Sequence, residues 1–181
     1  MRIHIATDHA GLEFSTQLQH HLAGQGHDVI DHGPRDYEPL DDYPAFCIQA
    51  AQAVVADRDA GVEALGVVFG GSGNGEQIAA NKVRGIRAAL VWSIATAELA
   101  REHNDANIIS IGARQHTFDE VTTFIDRFIS TPFSHEERHS RRIAQIAAFE
   151  AEGSLEPDQP AATGQPDVLA SDDSSFDPEA G

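Results

Sequence analysis

The chain of 181 residues has a single cysteine, Cys47, so it can build neither an internal disulfide framework nor a cysteine-based zinc cluster. Positive charge is scarce. Twelve lysines and arginines stand against 29 acids, a net of −17, and Lys82 is the sole lysine. That balance argues against a nucleic-acid backbone or an anionic membrane surface as the main partner. No run approaches the roughly 18 consecutive apolar residues of a spanning helix. The N-terminal segment Met1-Arg-Ile-His-Ile-Ala-Thr-Asp8 reads as a strand, because His4 and Asp8 interrupt any signal-peptide core. The expectation is a soluble cytoplasmic protein.

The shortage of bases is sharpest at the end. From Ala151 to Gly181 there are eight acids, no base, and four of the eight prolines. Leu155, Val168, Leu169 and Phe176 are the only large apolar groups in that stretch. Such a segment cannot offset its ordering entropy, so 153–181 is expected to be a disordered, solvated acidic tail. Residues 1–152 then form one domain.

Within that domain, apolar β-branched runs at Arg2–Thr7, His27–Asp31, Ala64–Phe69, Arg87–Trp92 and Asn107–Ile111 read as short strands. Their nearly continuous apolar character suits strands covered on both faces. Helical patterns lie between them at about 11–24, 44–57, 75–83, 94–103 and 117–130. Thr117 with Glu120 and Ser134 with Glu137 have capping-box spacing, and Pro44 suits a first helical position. This alternation predicts a Rossmann-like α/β fold: an open five-stranded parallel sheet with helices on both faces. An extra helix at about 134–152 follows, and its stripe of Ile143, Ile146, Ala147 and Phe149 suits packing on a partner subunit.

Ligands in such sheets bind beyond the carboxyl ends of the strands. The segment Gly70-Gly-Ser72-Gly-Asn-Gly75-Glu76 leaves the third strand there and enters a helix. Its glycines allow close backbone approach, and N–H groups at the helix start favour an anion. Neither a P-loop nor a complete dinucleotide fingerprint is present. Glu76 either complements the helix dipole or serves as a base beside an oxyanion site. Asp8 and His9 close the first strand, where Asp8 reads as a helix N-cap or a ligand contact. His103-Asn104 ends the fourth helix, where a histidine also suits a capping cation. Arg114, Arg138 and Arg142 are unexpected in so acidic a chain, and forked guanidiniums suit phosphate oxygens.

Together, Asp8-His9-Ala10-Gly11, Asp42-Tyr43-Pro44, Gly70 to Glu76, Ile78-Ala-Ala-Asn-Lys82, His103-Asn104 and Arg138-His-Ser-Arg-Arg142 resemble ribose-5-phosphate isomerase type B. Galactose-6-phosphate isomerase subunits belong to the same wider family. The resemblance runs from residue 2 to about 150. It implies metal-free, cofactor-free aldose–ketose isomerisation through a cis-enediolate. Many members carry a catalytic cysteine where this chain has Gly70; another branch uses a glutamate six positions on, the place of Glu76. By resemblance, His103 and Asp8 open the sugar ring and Glu76 shuttles the proton. Gly71, Gly73, Gly75 and Ser72 stabilise the enediolate, and Asn104 holds a hydroxyl. Arg114, Arg138, Arg142, His139 and His9 hold the phosphate. The family's site lies between two subunits, which implies a homodimer, with pairing into tetramers left open.

Two alternatives stand beside this reading. One keeps the mechanism and changes the sugar to a tetrose or hexose phosphate. The other is a non-catalytic nucleotide-binding module on the same kind of sheet.

Overall fold

A computed structural model describes residues 1–154; the tail expected from residue 153 lies, from 155 onward, outside the described residues. Five strands, β1 (Arg2–Ala6), β2 (Asp28–Asp31), β3 (Ala64–Gly70), β4 (Ala88–Leu90) and β5 (Ile108–Gly112), form one sheet. Every pairing is parallel, and the spatial order is β2-β1-β3-β5-β4. The helices are α1 (Leu12–Gly24), α2 (Tyr43–Asp59), α3 (Asn74–Ala80), α4 (Ile94–Asn104), α5 (Phe118–Ser130) and α6 (Glu137–Glu152).

The apolar strand runs are explained by burial on both faces. All seven residues of β3 and all five of β5 are buried. On one face Leu18 and Leu22 of α1, Ala97 and Ala100 of α4, and Phe124, Ile125 and Phe128 of α5 pack against Ile3, Val67 and Ile109. On the other, Cys47, Ala50, Ala51 and Val54 of α2 meet Ala79 and Ala80 of α3 over Val68 and Ile108. The chain thus leaves β1 toward one face and β3 toward the other. These two strands are neighbours, so their carboxyl ends define the switch point where a crevice opens.

Two capping expectations part ways here. Thr117 and Glu120 form their box at α5. Ser134 and Glu137 do not, and α6 starts only at Glu137, behind Glu136. The Ser134 hydroxyl instead accepts the Glu136 N–H at 3.3 Å and bonds His139 Nδ1 at 2.8 Å, while His135 sits at φ +55°. Ser93 and Thr96 make a second box at α4. The N-cap of α1 is Gly11, not Asp8, whose Oδ1 accepts the Ala10 N–H at 2.9 Å in a local turn.

Candidate active site

The switch point holds a cavity of about 540 Å³ lined by Asp8, Tyr43, Gly71, Ser72, Gly75, Glu76, Arg114 and Gln115. β1 delivers Asp8, the β3–α3 loop delivers the glycines and Glu76, and the segment after β5 delivers Arg114. Gly73 shapes the loop at φ +79°, a left-handed conformation natural only to glycine, and a Cβ there would meet Leu90 and the Ile111 backbone at 2.8–2.9 Å. The buried Ser110 hydroxyl of β5 donates to the Gly73 carbonyl at 2.6 Å and ties the loop down.

Gly70 has a different reason to be glycine. A Cβ built on it falls inside the carboxyl group of Glu76. The glutamate therefore fills the space that a side chain at the end of β3 would occupy. It is 4% exposed. Burial raises its pKa and nearby Asp8 raises it further, against its own backbone N–H, which favours the charged form. Cys47 lies inside α2, fully buried, its thiol pushed up to about 12 by burial and then by Glu76 and Asp8. It is a packed apolar group there, not a nucleophile.

His9 lies on the same edge, with its ring Nδ1 2.7 Å from Asp41 Oδ1. The remaining expected residues are elsewhere. His103 and Asn104 end α4, which runs back across the sheet to the start of β5. Gly112, at the other end of β5, is the residue that pairs with Gly70. A five-residue strand at about 3.3 Å per residue separates the two edges by roughly 15 Å. The His103 ring packs on that of His139 with centroids 4.2 Å apart. His139 is 2% exposed, and burial, then His103, lowers its pKa. Arg138 Nε pairs with Glu136 at 2.8 Å; Arg114 and Arg142 form no ion pair with any described residue. One chain therefore carries two groups of the expected residues: Asp8, His9, Ser72, Glu76 and Arg114 at one edge, and His103, Asn104, Arg138, His139 and Arg142 away from it.

Tyr43, Gln115, Asp41 and Ser110 were not among the expected site residues. Tyr43 stands in the Asp42-Tyr43-Pro44 motif at the start of α2, and its ring lies 2.5 Å from where a Gly75 Cβ would sit. Among the described residues the one group able to hold a metal ion is Asp8, His9 and Asp41.

The fold and crevice define an α/β protein with a buried carboxylate in a glycine-lined site, shared with Asp8 and Arg114, at the sheet's switch point. Residues 3–146 match the Ribose/Galactose Isomerase family, and the chain belongs to it. It is 54% identical over 150 residues to a ribose-5-phosphate isomerase B from Mycolicibacterium paratuberculosis, covering 83% of this chain and 92% of that one. It is 41% identical to a probable ribose-5-phosphate isomerase B from Mycoplasma pneumoniae, covering 83% and 95%. Among solved structures, ribose-5-phosphate isomerase B from Mycoplasma genitalium with bound ribulose-5-phosphate superposes with a TM-score of 0.79 at 39% identity, covering 83% and 97%. The Clostridium thermocellum enzyme gives 0.78 at 37%, covering 85% and 100%. No described helix is long and apolar enough to cross a membrane.

Proposed function

We propose that the chain interconverts ribose 5-phosphate and ribulose 5-phosphate with Glu76 as the base. The observation that carries this reading is the buried carboxyl of Glu76 seated over Gly70, facing the cavity with Asp8 and Arg114. In the open-chain aldose the Glu76 carboxylate takes the proton from C2. The C–H electron pair becomes the C1=C2 bond, and the carbonyl oxygen on C1 becomes the enediolate oxygen, held by the N–H groups of Gly71, Gly73 and Gly75 and by the Ser72 hydroxyl. The C2 hydroxyl proton passes to that oxygen, a carbonyl forms at C2, and Glu76 returns its proton to C1.

A single chain leaves His103 about a strand's length from Glu76. A symmetric dimer would bring His103 and Asn104 of one copy over the crevice of the other, with Arg138 and Arg142, and His139 packed beneath. Exposed apolar side chains offer it a surface: Phe149 and Ile146 on α6, Trp92 after β4 and Leu99 on α4 are each more than 40% exposed. In the assembled site His103 and Asp8 open the furanose ring. Arg114 of one chain and Arg138 and Arg142 of the other, with His9, hold the phosphate. The catalytic unit ends near residue 152, and a chain stopped at Ser154 is expected to turn over like the full one.

Isomerase activity on ribose 5-phosphate, measured with EDTA present, tests the reading. Wild type turns over and Glu76→Gln loses several powers of ten. Mixing Glu76→Gln with His103→Asn subunits restores turnover if the site is shared, since one hybrid site is intact. Activity on tetrose or hexose phosphates alone would keep the mechanism and change the substrate.

A further inference from the structure

The geometry points to a divalent transition-metal site formed by Asp8, His9 and Asp41, whose occupancy closes the crevice to substrate. One donor atom from each side chain lies within 4.8 Å of the others. Asp41 carries the argument. Its side chain is 9% exposed. Oδ1 takes both the His9 backbone N–H at 3.1 Å and the His9 ring at 2.7 Å. Oδ2 is buried with no hydrogen-bond partner. A buried carboxylate oxygen left unsatisfied is costly and calls for a missing partner. No nearby donor supplies one, and a cation would.

The donor set selects the class of ion. One imidazole nitrogen and two carboxylates suit zinc, cobalt or nickel, whereas magnesium and calcium take six or more oxygens. Zinc–ligand bonds of about 2.0–2.2 Å require side-chain adjustment, with donors now up to 4.8 Å apart closing and the 2.7 Å His9–Asp41 contact opening around the ion. The His9 side chain is 21% exposed, so the site is reached by solvent from the His9 side. The ion replaces the proton shared by His9 and Asp41 and offsets the charge of the Asp8 and Asp41 carboxylates. It also occupies Asp8 and His9, so it competes with the sugar phosphate. This inhibitory half rests on the proposed function; the binding half does not.

Equilibrium dialysis of metal-stripped protein with Zn²⁺, and the visible spectrum of its Co²⁺ form, test binding directly. Wild type is expected to take one ion per chain. Asp41→Asn and His9→Ala should each lower affinity by about tenfold or more. His103→Asn, which alters the other histidine pair, should leave affinity unchanged. Zn²⁺ should raise the apparent KM of wild type, and EDTA should reverse it. Unchanged affinity in Asp41→Asn and His9→Ala, loss in His103→Asn, or no binding by wild type overturns the site. If the ion binds as described but the chain never isomerises ribose 5-phosphate, the proposed function fails and the site stands.

Discussion

Gly70→Ala isolates the place of the base from its chemistry. The new methyl falls where the Glu76 carboxyl group now sits, so the two cannot coexist, and the carboxylate must swing away. Inserting one methyl into such a packed region costs about 1–3 kcal/mol. That is below the stability of about 5–15 kcal/mol usual for a domain, so the chain stays folded. The base, however, moves by at least the width of the methyl. A misplacement of about 1 Å costs on the order of 100-fold in rate, equivalent to about 2.7 kcal/mol of transition-state stabilisation. Since Arg114, Arg138 and Arg142 are untouched, the loss should fall on kcat with KM changed only a few-fold. Steady-state kinetics on ribose 5-phosphate, with a melting curve to confirm the fold, measure both. Gly24→Ala is the control, because a Cβ there meets nothing within 4 Å. Near wild-type kcat in folded Gly70→Ala would show that catalysis does not need the carboxylate over β3, and the assignment of Glu76 would fall.

Three further outcomes follow from burial and charge. Because the Glu76 pKa is raised in the fold, the native state is penalised at pH values above it; the penalty fades as pH falls toward the unfolded value. Glu76→Gln should therefore melt higher than wild type at neutral pH, with the gap closing in acid, while the acidic limb of wild-type turnover should be shifted upward from an ordinary glutamate's value. Asp105 holds Arg101 at 2.6 Å, Arg87 at 2.9 Å and Arg58 at 3.8 Å, its side chain 24% exposed. Asp105→Ala leaves three guanidiniums facing one another and should cost about 1–3 kcal/mol in urea unfolding. Cys47, fully buried with its thiol pushed to about 12, should resist a thiol reagent in the native chain and react fully in denaturant.

Much of this was legible wherever a local rule faced no competitor. The continuous apolar run of β3 and the Thr117–Glu120 box have no rival partners, and both form as read. Ser134 and Glu137 have the same spacing, yet the Ser134 hydroxyl is claimed by His139, five residues on, a contact set by the packing of α6 on α4. Asp8 likewise has a turn N–H nearer than any helix start. Asp41 and Tyr43 come from the connection after β2 and the start of α2, Gln115 from the segment after β5, and the order β2-β1-β3-β5-β4 brings these segments to one edge of the sheet; strand alternation does not contain that order. The distance between His103 and Glu76 is another matter. In a parallel sheet each connecting helix begins at the carboxyl edge and ends at the opposite one. His103 closes the helix before the fifth strand, whereas Glu76 opens the helix after the third. Alternation alone thus puts them on opposite edges of one sheet. The order of strands and helices thus accounts for the separation of the two groups within one chain, and the dimer in the proposed function is what would bring them together.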